Sequence, residues 1–190
     1  MVRVGNHSLE LVNAATLTAL PEYSHKGKTW VEGQPGAEYL LKITSHQSGT
    51  RTIAHPIEVD GSSIGYIFQH GPDINLTTTM GPVSSPGTIS RGGKVGCKSF
   101  RFSRLNHGDF DASTGHGMIR VTWSTASDTG IPSSGFHFGW NGVEKSVPDS
   151  KKESVGALQS VKGSSDSSMP TAKTYWHVEE QLYSATIYYC

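Results

Sequence analysis

The chain has 190 residues, enough for one domain with a single sizeable core. Its 16 Lys plus Arg balance its 16 Asp plus Glu, which excludes the basic footprint of a nucleic-acid or anionic-membrane binder. Gly, Ser and Thr make up about a third of the residues, a composition poor for a helical bundle and suited to short strands joined by tight turns.

The first 23 residues show no charged-then-apolar leader, because Asn6, His7, Glu10 and Asn13 interrupt any apolar run. No stretch reaches 18 consecutive apolar residues, so no membrane span is expected. The expected location is cytoplasmic, or within a particle assembled there. Period-two patterning then recurs along the chain. Strand candidates come first at 2–12 and 28–32. In 39–45, Tyr39, Leu41 and Ile43 share one face. Ile57 and Val59 point inward together, Asp60-Gly61 signals a hairpin turn, and 62–69 returns with Ile64, Tyr66 and Phe68 in phase. The segment 80–96 reads as a long loop. Strands follow at 97–105, with Phe100 and Phe102 inward, and at 117–127, with Ile119, Val121 and Trp123 inward. Two more are expected at 135–140 and at 183–190, where Tyr183, Ala185, Ile187 and Tyr189 alternate. The stretch 141–173 is polar and Ser-rich, and reads as an insertion. A short helix is expected over 151–162, from Val155, Leu158 and Val161 at spacing three. The fold class is therefore all-β: an antiparallel two-sheet β-sandwich, jelly-roll-like, with about nine or ten strands and long loops. One domain is expected over 1–190, with a polar insertion near 141–173.

One segment carries a recognisable pattern. Trp30-Val31-Glu32 precedes Pro35-Gly36, Glu38 and Tyr39, and an apolar strand ending in Val59-Asp60-Gly61 precedes a return strand. This resembles an uncharacterised β-sandwich family of fungal, protist and large-virus proteins. The later Phe100/Phe102 and Gly117/Ile119/Val121 strands are similar to that family's downstream strands. The resemblance covers roughly 28–125 and implies the sandwich fold, with no activity and no catalytic residues to transfer. Within the second strand, His55-Pro56 departs from the pattern and implies an edge or a bulge there.

Chemistry-bearing residues are sparse. His107, Asp109, Asp111 and His116 fall within ten positions. They read as a polar turn-forming loop, as an iron-type His-x-Asp site completed by His137 or His177, or as a calcium loop. The calcium reading fails at its twelfth position, which is Arg120 rather than an acid. Gly-rich 91–96 is a weak anion candidate because no helix follows it. Cys97 and Cys190 read as free thiols, with an intrachain bridge or an intermolecular Cys190 as alternatives. Asn6 and Asn75 head N-glycosylation tripeptides. Most aromatics alternate in phase with the apolar rows and belong to the core. Trp176 and Tyr188 fall out of phase and are the candidates for an interaction surface.

No catalytic residues, cofactor or metal are assigned. The expectation is a non-enzymatic structural or interaction protein, a β-sandwich subunit of a coat, capsid, filament or scaffold, with protein partners or self-assembly. The first alternative is a carbohydrate-binding module; the second is a metal-dependent enzyme using the 107–116 loop. A free edge along 183–190 is expected to offer the pairing surface.

Overall fold

The structure, a computed structural model, describes residues 1–48, 51–71, 74–81, 89–90, 94–106, 117–132, 153–170 and 174–190. Its strands in chain order are β1 (Val2–Val4), β2 (His7–Asn13), β3 (Glu22–His25), β4 (Lys28–Val31), β5 (Glu38–Gln47), β6 (Arg51–Val59), β7 (Ser62–Gly71), β8 (Ile74–Met80), β9 (Ile89–Ser90), β10 (Lys94–Asn106), β11 (Met118–Pro132), β12 (Glu153–Pro170) and β13 (Thr174–Tyr189). Among the described residues there is no helix, so none is long and apolar enough to cross a membrane.

The strands form two sheets. The first runs β1-β2-β5-β10-β12, with β8 also on β5 and β9 on β10. On its side away from β2, β5 pairs with β10 at Glu38 and Tyr39 and with β8 from Leu41 onward. Gly81 sits at this change of partner, where an added Cβ would lie 1.7 Å from the Lys98 carbonyl oxygen. Only a residue without a side chain lets the two backbones approach that closely. The second sheet runs β3-β4-β13-β11-β6-β7, antiparallel except for the parallel pair β4 and β13.

Alternation builds the core. Leu9, Leu11, Tyr39, Leu41, Ile43, Phe100 and Phe102 of the first sheet meet Ile57, Val59, Ile119, Val121, Trp123 and Ile187 of the second in one buried cluster. The all-β two-sheet sandwich expected from the sequence is what forms. The Asp60-Gly61 turn also forms as expected, with φ of 51° and 74°. Lys26-Gly27 makes a second turn of this kind between β3 and β4, with φ of 50° and 72°. Turns with two left-handed residues carry the twist of the flanking strands.

Several expectations need correction. Among the described residues the strands number thirteen, against the nine or ten expected, partly because Gly5 and Lys26-Gly27 fold the N-terminal region into two hairpins. Where the structure describes them, over 153–170, the expected helix at 151–162 and the polar insertion are strand β12, paired along β10. Ser160 takes an inward position there, so a hydroxyl stands where alternation looks for an apolar residue. Lys94–Gly96 and Ile89–Ser90, expected within a loop, lie in β10 and β9. The final strand is not an edge, because β13 lies between β4 and β11. Strand β6 is likewise interior at His55-Pro56, but its ladder to β11 skips both residues between Ile57 and Ala54. Proline has no N–H to donate there; no bulge falls at His55-Pro56, and the nearby one, between Ile57 and Glu58, has its extra residue, Ile64, in β7. The strand expected at 135–140 falls outside the described residues.

Candidate functional site

His107, Asp109, Asp111 and His116 lie outside the described residues, as do His137 and Trp140. Among the described residues no group of three or more His, Cys, Asp or Glu is placed to hold a metal ion. His177 is exposed on β13, across from Ser127. Arg120 pairs with Glu58 across β11 and β6, N to O 3.1 Å. Trp176 is on β13 opposite Asp128. Cys190 is an exposed free thiol, its Sγ 3.2 Å from the Tyr23 hydroxyl.

Tyr188 does face outward, and the sheet surrounds it with company. Val31, Ile187 and Ile119 turn inward and are buried, so their neighbours Trp30, Tyr188 and Met118 turn outward. Strand register then aligns Tyr23 with Trp30, Trp30 with Tyr188, and Tyr188 with Met118. Three aromatic rings and a thioether form one row across four adjacent strands of the outer face. Tyr23 is 45% exposed and Trp30 and Tyr188 are half-buried. The Trp30 and Tyr188 ring centroids lie 5.2 Å apart, and the Lys28 ammonium sits 4.4 Å over the Tyr188 ring. Contacts from the chain itself thus occupy Tyr188, and Tyr23 is the open ring. The Cys190 contact and burial push the Tyr23 phenol above its ordinary value. Sequence reading missed Tyr23 as a member of the row. The Lys26-Gly27 turn fixes its register with Trp30 and was the available signal; the parallel pairing of β4 with β13 had none.

Two polar clusters lie inside the sandwich, and neither was singled out in the sequence. In the first, Asp60 of the β6–β7 turn reaches the opposite sheet. Its carboxylate accepts the Ser160 N–H at 2.6 Å, the Gly117 N–H at 2.8 Å and the Tyr189 hydroxyl. Since Tyr189 gives its proton to Asp60, it must accept from Ser160 at 2.6 Å, and Ser160 accepts in turn from Tyr39. Burial raises both phenols well above their ordinary values, with the Asp60 charge adding to it. The chain of hydroxyls stays protonated and latches β5 and β12 to β13 and the β6–β7 turn.

The second cluster is histidine-rich. His55 is fully buried on β6 and His7 is 2% exposed at the start of β2. Each keeps a buried Nδ1 without a hydrogen-bond partner. Trp123 lies between the two sheets here, its ring centroid 5.3 Å from His7 and 6.0 Å from His55. Its indole N–H donates to the Ser45 hydroxyl at 2.9 Å, and that hydroxyl is 3.5 Å from His55 Nε2, a long contact. Tyr183, 42% exposed, was expected in the core. It closes the mouth of this cluster instead, its ring centroid 5.2 Å from His7 and its edge over Gly5, where an added Cβ would lie 3.3 Å away. Burial pushes His55 down to about 3, with the nearby His7 adding to it; burial and then His46 lower His7.

Compared with protein-family models, curated proteins and solved structures, the chain matches none.

Proposed function

We propose that the chain is a non-enzymatic interaction protein, a β-sandwich subunit that joins copies of itself into a larger assembly through a sheet edge. The observation that carries this reading is β12. It spans 18 residues and, among the described strands, pairs on one side only, with β10. Of the other edge strands, β1 and β3 have only 3 and 4 residues, lengths that blunt an edge, and β7, with 10, is shorter than β12. A long one-sided strand is the opposite case, a template for another strand. Ser160 shows which way the β12 amides point, because its N–H leaves the β10 ladder and donates to Asp60. By alternation Leu158 and Lys162 turn their N–H groups to the same side, away from β10 and flanking the position that Asp60 fills.

The test is light scattering over a wide concentration range on the wild type and on Lys162→Pro, which removes one outward donor and leaves the β10 ladder its own. Mass growing with concentration in the wild type and not in the variant is the expected result. A wild type that stays monomeric at high concentration, with β12 amides no better protected than in dilute solution, overturns the reading.

The row Tyr23–Trp30–Tyr188 favours a second reading, carbohydrate binding, since aromatic faces stack on apolar sugar faces. It ranks lower because Lys28 and Trp30 already pack on Tyr188. An oligosaccharide that shifts tryptophan emission in the wild type but not in Tyr23→Ala would raise it above the first.

A further inference from the structure

We propose that His7 and His55 form an acid-sensitive lock, in which a proton taken up by either imidazole opens the seal that Tyr183 and the Gly5–Asn6 turn make over the mouth of the sandwich. This stands apart from the assembly reading, and a monomer would show it equally.

Both rings are enclosed, and both offer an unpartnered Nδ1. A neutral imidazole tolerates that position; an imidazolium there has neither water nor an acceptor. The groups acting on the rings come from three other elements. Strand β5 supplies Ser45 and His46, β11 supplies Trp123, β13 supplies Tyr183, and His55 sits in the field of His7. The charged neighbours acting on the two rings are therefore His46 and His7, cations when protonated, which repel a new proton. Ser45 compensates little, since its hydroxyl stands a long 3.5 Å from His55 Nε2 and leaves both Nδ1 atoms unmet.

Position sets the order of events. His7 begins β2 directly after the Gly5–Asn6 turn, and on the outside it is covered by the partly exposed Tyr183 ring. A local opening of this hairpin brings His7 to water while the core stays closed. His55 sits midway along β6, between β11 and β7, and can reach water only after the mouth is open. Because the unfolded chain binds these protons near pH 6.5 and the native one resists them, the lock is fully closed above about pH 6.5 and loosens as the pH falls below it.

Three measurements on the full chain test this. The ring resonances of His55 should hold the neutral-imidazole position at pH 5.5, where a free imidazole is mostly protonated, and those of His7 should titrate below a free imidazole. The unfolding equilibrium constant should rise about eightfold from pH 7 to 5.5 through His55 alone, and that portion should vanish in His55→Gln. Protection of the Ser8 and Leu9 amides, corrected for intrinsic exchange, should fall over the same range in the wild type and stay constant in His7→Gln. Rings that titrate like free imidazole, or amide protection independent of pH in the wild type, would overturn the proposal. Should either variant fail to fold, the ring titration and the wild-type exchange decide it.

Discussion

The two polar clusters inside the sandwich solve the same problem in opposite ways. Around Asp60 every donor is matched: two backbone N–H groups and a phenol converge on one carboxylate, and a relay of hydroxyls leads away from it. Around His55 the apolar contacts are good but the polar inventory is incomplete, with two imidazole nitrogens left unpartnered. The first cluster ties the sheets together with polar groups and gains from its charge. The second tolerates polar groups only while they stay uncharged. Burial alone therefore says little about whether a polar residue stabilises a core; the count of its partners does.

This contrast can be broken by experiment. The largest effect is expected for Asp60→Ala, which orphans three donors at once and places alanine at a φ of 51°. Urea unfolding should show a loss on the order of 4 kcal/mol, and a loss below about 1 would deny the latch its role. Trp123→Phe should lose about 2 kcal/mol, from a smaller ring and from the Ser45 hydroxyl left without its donor. Acidification comes next: since the native His55 is depressed to about 3, stability is full above about pH 6.5 and falls by about 1 kcal/mol by pH 5.5. A flat profile over that range would place the two clusters on an equal footing. Tyr39→Phe removes only the outer member of the relay and leaves Ser160 bonded to Tyr189, so about 0.5–1 kcal/mol is expected. The smallest change belongs to the surface, where Arg120→Ala breaks a half-exposed pair with Glu58 and should cost about 0.5 kcal/mol or less.

Alternation made the apolar half of this architecture legible. Tyr39, Leu41, Ile43, Phe100, Phe102, Ile119, Val121 and Trp123 were each placed inward from spacing alone, and each is buried. The polar half was not legible, for a physical reason. A buried Ser160 or His55 is indistinguishable in sequence from an exposed one, since only partners brought from distant strands make its position tolerable. For the same reason β12 read as insertion and helix: its ladder partner is β10, and nothing local in a Ser-rich stretch announces it. Tyr188 was found by its phase. Its neighbours Tyr23 and Trp30 depended on a strand pairing that no turn encodes, and the histidines near Trp123 were overlooked beside the denser 107–116 group.

The parallel seam between β4 and β13 bears on how the molecule is made. Thr29 pairs with Ile187, roughly 160 positions later. On a ribosome that delivers residues one after another, the β3–β4 hairpin waits with an unmatched flank until β13 has been made. Such late, non-local closure slows folding and lengthens the interval in which a nascent chain can stick to another. Translation speed and chaperone access near that hairpin should therefore govern yield more than any single contact in the finished core.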